Sequence, residues 1–141
     1  MDATLQAAAG LLRLDMAPPN AVELASEIML PAAGQGALAV QCRADDEATL
    51  ALLAPLNCAD TQACVMAERA FLNALDGSCR TPIAALAEIK NDTLYMHGRV
   101  LAADGSDMVE THISCAPDKA AASGRAAGEK LRHAAPHLVT G

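Results

Sequence analysis

"PIAALAEIKNDTLYMHGRVLAADGSDMVETHISC", residues 82–115, decides the fold. Three apolar-rich runs, 82–89, 93–102 and 107–115, are separated by Asn91-Asp92 and by Asp104-Gly105. Asn, Asp and Gly tolerate the left-handed backbone that tight hairpin loops require, so the three runs are expected to pair as antiparallel hairpins. Leu94, Met96 and Val100 share one face, and Val109, Thr111 and Ile113 another, as the two-residue period of a half-buried strand demands.

Helical patterns flank this sheet. Upstream, Cys64, Ala67, Phe71, Leu72 and Leu75 recur at helical spacing, with Asp60 or Thr61 placed to cap the helix and Gly77 to stop it. Downstream, Pro117 opens a helix carrying Ala120, Gly124, Ala127 and Leu131 on one side, small residues that permit close packing on the sheet. Residues 60–141 thus read as helix, three strands, helix, a compact α+β unit.

The preceding residues are less uniform. "DATLQAAAGLLRL" (2–14) is helical by its Ala and Leu content, with Leu5, Ala8, Leu11 and Leu12 on one side. "DMAPPNAVELASEIMLPAAGQG" (15–36) holds three prolines and a Gly-Gln-Gly turn, which marks a connection running over a surface. "ALAVQCR" (37–43) has the pattern of a buried strand, and "DDEATLALLAPL" (45–56) sets acidic residues before an apolar face, as a helix N-terminus favours. Pro55 ends that helix or follows it. The fold class is therefore α+β: a C-terminal three-stranded antiparallel sheet packed with helices, preceded by a partial α/β segment.

Composition narrows the function classes. The chain has 141 residues, 52% of them apolar, with one Phe, one Tyr and no Trp, so its core must be aliphatic. No apolar stretch reaches the ~18 residues of a membrane span and the start lacks a basic leader, so a soluble, cytoplasmic protein without a membrane partner is expected. A net charge of −7 with scattered Lys and Arg argues against a nucleic-acid surface. Five cysteines without C-x-x-C spacing suit neither a disulfide framework nor a zinc knuckle and fit a reducing compartment. His97, His112, His133 and His137 lack ligand spacing, and no metal site is expected.

Three features bear on chemistry. Cys79 stands in "DGSCRTP" (76–82), where Gly77 gives backbone freedom and Pro82 restricts the exit. A helix C-terminus before it opposes thiolate formation while Arg80 favours it, so the residues alone leave either an inert thiol or a reachable nucleophile. Gly34 and Gly36 flank Gln35 either as a tight turn or as a place where amides approach an anion, without the third glycine of a dinucleotide fingerprint. Arg13 and Arg43 each carry the planar fork that grips carboxylates, or stand as solvated or ion-paired surface groups. Asp45, Asp46 and Glu47 are most simply a charge cluster at a helix N-terminus.

Together, "DATLQAAAGLLRL", "LPAAGQGALAVQCRADD" (30–46) and "AERAFLNALDGSCRTPIAALAEI" (67–89) resemble the C-terminal part of the porphobilinogen deaminase, or hydroxymethylbilane synthase, family. Ser78 stands where a second glycine is common in that family. The resemblance implies a transferase of tetrapyrrole and heme biosynthesis. In such an enzyme four porphobilinogen units lose ammonia and add in succession to a dipyrromethane cofactor, and hydrolysis releases hydroxymethylbilane. It implies that Cys79 holds the dipyrromethane as a thioether, a task suited to a soft sulfur nucleophile. It also implies that Gly34, Gln35 and Gly36 line the cofactor cleft and that Arg13 binds a substrate carboxylate; Arg43 matches the family's Cys-Arg pair without a catalytic role.

The family architecture maps residues 1–33 to the tail of a second domain, 34–57 to a strand and helix completing a first domain, and 58–141 to a C-terminal α+β cofactor-attachment domain. The family's catalytic aspartate then lies in an N-terminal part outside this chain, so the chain is expected to be inactive alone. Its exposed edges would meet a separate N-terminal segment or a second copy. The other function class left open is a non-catalytic α+β binding or assembly module.

Overall fold

The computed structural model describes residues 3–16, 18–75 and 82–139. Its sheet consists of β1 (Ile83–Lys90), β2 (Thr93–Leu101) and β3 (Met108–Cys115), in that spatial order and antiparallel throughout. Asn91 and Asp92, at φ 50° and 58°, form the two-residue loop that joins Lys90 to its partner Thr93. Left-handed backbone at both loop positions matches the twist of the flanking strands and fixes the register. The second hairpin turns at Gly105, φ 74°, with Ala102 N–H donating to Asp107 C=O at 2.8 Å.

That register gathers the apolar residues on one side. Val100 lies opposite both Ile83 and Val109, and Met96 opposite both Ala87 and Ile113. The face expected from Leu94, Met96 and Val100 is therefore the same helix-covered side that Val109, Thr111 and Ile113 reach from β3. Helix α1 (Ala8–Leu14) and helix α2 (Glu47–Leu53) lie in the N-terminal part, whereas α3 (Ala59–Ala74) and α4 (Ala120–Ala134) cover this side of the sheet.

Helix α3 begins earlier than expected, with Cys58 at the N-cap and Asp60 in the first turn, where its charge meets the positive end of the helix dipole. Ala67, Phe71 and Leu75 are fully buried, and Cys64 and Leu72 pack on the core. The single Phe lies against Gly98 of β2: a Cβ there would stand 2.6 Å from the Phe71 ring. A flat gap in the strand thus seats the one bulky aromatic. Burying such a ring stabilises the fold by about 1.5–3 kcal/mol. Gly77 lies outside the described residues.

Pro117 opens a single 3-10 turn, Pro117–Lys119, before α4 proper. Ala120, Gly124, Ala127 and Leu131 are all buried. The small residues of α4 do not chiefly meet the sheet, as the sequence suggested; they meet α3. Gly124 lies against the Ala67 carbonyl, and Gly128 against Ala74 and the Phe71 carbonyl. Glycine at these positions lets the two backbones approach where any side chain would collide.

The N-terminal part buries little. Helix α1 covers only 8–14 of the expected 2–14 and contains no buried residue, and α2 contains none either. Asp46 caps α2 by accepting from the Thr49 amide at 3.0 Å, and Pro55 sits in a 3-10 turn, Ala54–Leu56, at its end. The expected strand at 37–43 is absent: these residues enter no ladder, and Leu38 is 99% exposed. A short apolar run becomes a strand only where a neighbour accepts its backbone groups, and no described strand pairs with it. The partial α/β segment expected before the sheet is accordingly helix, turns and irregular chain among the described residues. No single helix among the described residues is long and apolar enough to cross a membrane.

Candidate functional site

One stretch of the N-terminal part does engage the sheet. In β1 the amides of Ala85 and Ala87 point away from β2, toward the free edge. Ala85 N–H donates to Pro31 C=O at 3.0 Å. Leu30 is buried, and Ala33 packs on the core. Residues 30–34 thereby cover an edge that would otherwise present unpaired donors.

Glu68 of α3 completes this cover. Its Oε1 accepts from Ala87 N–H at 2.7 Å and its Oε2 from Gly34 N–H at 2.6 Å. The side chain follows Ala67, so it turns from the core-facing stripe toward the β1 edge, and it is 6% exposed. Burial pushes its carboxyl above the ordinary glutamate range, and the two amide hydrogen bonds pull partly back. A buried carboxylate needs such donors, and charge-assisted bonds of this length are the strong kind. One side chain thus joins the helix, the sheet edge and the Gly-Gln-Gly turn.

The turn itself has Gly34 at φ 74° and Gly36 at φ 85°, with open space where a Cβ would stand. Its glycines are required by backbone conformation rather than by crowding. Gln35 between them is exposed. Arg13 lies in the last turn of α1, exposed, and no described hydrogen bond or ion pair joins it to the turn. Arg43 stands 3.7 Å from Asp46 on the surface, an ion-paired group as one reading of the sequence had it. Cys79, with Arg80, lies outside the described residues. The structure therefore describes the Gly34–Gly36 turn, and no described hydrogen bond or ion pair links Arg13 to it.

The concavities among the described residues include two shallow clefts. One, of about 180 Å³, sits on the outer face of the sheet beside Glu27, Leu30, Glu88, His97 and His112. Its carboxylates repel an anionic ligand. His97 and His112, cross-strand partners, stack there with ring centroids 4.1 Å apart. The other cleft, of about 270 Å³, lies between the start of α3 and Pro117–Ala121 and is mostly apolar. The described cysteines, Cys42, Cys58, Cys64 and Cys115, are free, and no described group of three or more His, Cys, Asp or Glu could hold a metal. Cys64 packs at the margin of the core, and burial first, then the Glu68 charge, pushes its thiol up.

Glu68 is the functional candidate that sequence reading passed over. It stands in the Ala-Glu-Arg-Ala motif, quoted above only as a family mark. An acidic residue on the margin of an apolar helix stripe was the available signal, and its partners, 34 and 19 residues away, were not legible.

Comparison with known proteins bears on both ends of this clamp. Residues 1–51 match a family model described as porphobilinogen deaminase, dipyromethane cofactor binding domain, and residues 62–133 match porphobilinogen deaminase, C-terminal domain. The chain is similar to the porphobilinogen deaminases of Syntrophotalea carbinolica, 44% identical over 93% of the chain, and Chromobacterium violaceum, 48% over 92%. That of Sphingopyxis alaskensis is 50% identical over 79% of the chain. The chain spans 42% of the length of the first two relatives and 36% of the third. Glu68 lies in one matched region and Gly34 in the other, so the hydrogen bond between them joins the two. The chain belongs to the porphobilinogen deaminase family.

Proposed function

We propose that this chain supplies the C-terminal portion of a porphobilinogen deaminase, a transferase whose whole molecule condenses four porphobilinogen units, with loss of ammonia, to hydroxymethylbilane. Cys79 is its thioether tether for dipyrromethane, the primer of the reaction when bound. Gly34, Gln35 and Gly36 line the cofactor cleft, and Arg13 binds a carboxylate arm through its guanidinium fork.

The observation that carries this reading is the Glu68–Gly34 hydrogen bond. The Gly-Gln-Gly turn and the Ala-Glu-Arg-Ala helix, far apart in sequence and together distinctive of the family, meet in space at 2.6 Å. The described residues fit a carboxylate-rich cofactor only in part. The turn offers open backbone, whereas the sheet-face cleft is acidic and Arg13, exposed in the last turn of α1, makes no described bond to the turn. The remaining cations and the catalytic aspartate belong, in this reading, to polypeptide corresponding to the rest of the relatives' length. Leu38, Val40, Leu52 and Leu56, each at least 67% exposed, are the apolar surface such a segment, or a second copy of the chain, covers. The free thiols support a cytoplasmic location.

The experiment measures porphobilinogen consumption and hydroxymethylbilane formation by the chain alone and by the chain co-expressed with the N-terminal portion of the Chromobacterium violaceum relative. No product alone and product from the pair is expected. Product from the chain alone, or none from a pair that co-purifies, contradicts the proposal.

A further inference from the structure

Glu68 has a geometry that helix packing does not require. Ala67, Ala70, Phe71 and Ala74 already bury the core-facing side of α3, and an apolar residue at 68 would meet that need without the cost of burying a carboxyl. The carboxylate instead spends both oxygens on backbone amides from two other segments: Gly34 of the turn and Ala87 of the β1 edge. Neither amide has another acceptor in a strand ladder: Ala87 faces outward from β2, and Gly34 lies in a turn. Gln35 itself makes no described side-chain bond that would hold the turn in place. The neighbouring Gln35 N–H to Ala32 C=O bond, at 3.0 Å, shapes the turn locally and does not tie it to the sheet.

We infer that Glu68 is a positioning residue: through the Gly34 amide it sets where the Gly34–Gln35–Gly36 turn stands relative to α3 and the sheet, and it does so separately from the stability of the α3–sheet–α4 core. Its relevance to the cofactor cleft rests on the family reading above; the clamp itself does not. Side-chain replacement should loosen the turn at Gly34, with Pro31 still held by the Ala85 amide, and leave the core closed, a local opening rather than a global one. Glu68→Gln is the sharpest change, since it keeps shape and leaves one acceptor oxygen for two donors.

The test uses the 141-residue chain and amide NMR. In the unaltered chain, the Gly34 and Ala87 amide protons should titrate together with one midpoint above 4.5, the ordinary glutamate value. Cys64, one turn earlier on α3, titrates far higher and is separable. In Glu68→Gln this shared titration should vanish, and exchange at Gly34 should speed by about tenfold or more, the effect of losing one charge-assisted bond. Exchange at Met96 and Val100, in the core, should stay within about twofold, because distant sites are nearly independent. Separate midpoints, an unchanged Gly34 in the variant, or equal acceleration at Met96 and Val100 would overturn the inference. Should the variant fail to fold, the titration in the unaltered chain decides. Failure of the family reading shows instead as absent product in the co-expressed pair and leaves these amide signals unaffected.

Discussion

Gly124 and Gly98 are the residues on which the core closes most tightly. A Cβ at 124 would run into the Ala67 carbonyl, fixed in the backbone of α3, whereas a Cβ at 98 would meet the Phe71 ring. A ring can tilt and a helix backbone cannot, so Gly124→Ala should cost about 3 kcal/mol and Gly98→Ala nearer 1–2 kcal/mol, as over-packing of cores generally does. Urea denaturation midpoints of the two variants check the order, and equal losses would contradict it. The carboxyls divide by sign. Hydrogen bonds to Thr49 lower Asp46, and the Arg99 hydrogen bond lowers Glu110, so each contributes stability that is present above the unfolded value and lost as pH falls through the folded one. Glu68 is raised, so its contribution is fullest below the unfolded value and declines as pH rises through the folded one. The stability of the unaltered chain relative to Glu68→Gln should therefore grow on going from pH 7 toward pH 4, measured by denaturation at each pH. A difference that shrinks with acid contradicts the assignment.

Among elements, the hairpins were legible because their signals are local. Asn91-Asp92 and Asp104-Gly105 dictate left-handed loops, and the alternation on either side dictates which face is buried. The stripes of α3 and α4 were legible for the same reason. What the sequence hid depends on partners. Residues 37–43 carry the short apolar run of a buried strand, yet they join none, because a strand exists only as part of a ladder. The glycines of α4 announced a close approach without saying that α3 was the neighbour. The Glu68 clamp was hidden likewise, although the turn it holds was visible as Gly-Gln-Gly. Burial divides the chain accordingly. In hydrogen–deuterium exchange, β2 and the buried faces of α3 and α4 should exchange slowest, residues 30–34 at an intermediate rate, and α1, 37–43 and α2 near the unprotected rate. Uniform protection from α1 to α4 in a dilute monomer would contradict this division.

At the scale of the whole molecule, the chain pairs a closed α+β unit with an N-terminal part whose apolar residues lack a cover. Leu30 is the one buried hydrophobic before α3 among the described residues. The proposed division of labour follows: the sheet and its helices carry the Cys79 tether and, through Glu68, the turn of the cofactor cleft, while further polypeptide brings the remaining charge-binding groups. The two family matches, to residues 1–51 and 62–133, fall on either side of the clamp. The most direct test of the tether is the intact mass and peptide map of the chain recovered from the co-expressed pair, with an Ehrlich colour reaction on the same sample. The account expects an added mass of two porphobilinogen units less two molecules of ammonia, located on the peptide containing Cys79, colour-positive, and absent from Cys79→Ser. An unmodified Cys79 in a pair that forms hydroxymethylbilane, or the same adduct in Cys79→Ser, would contradict it.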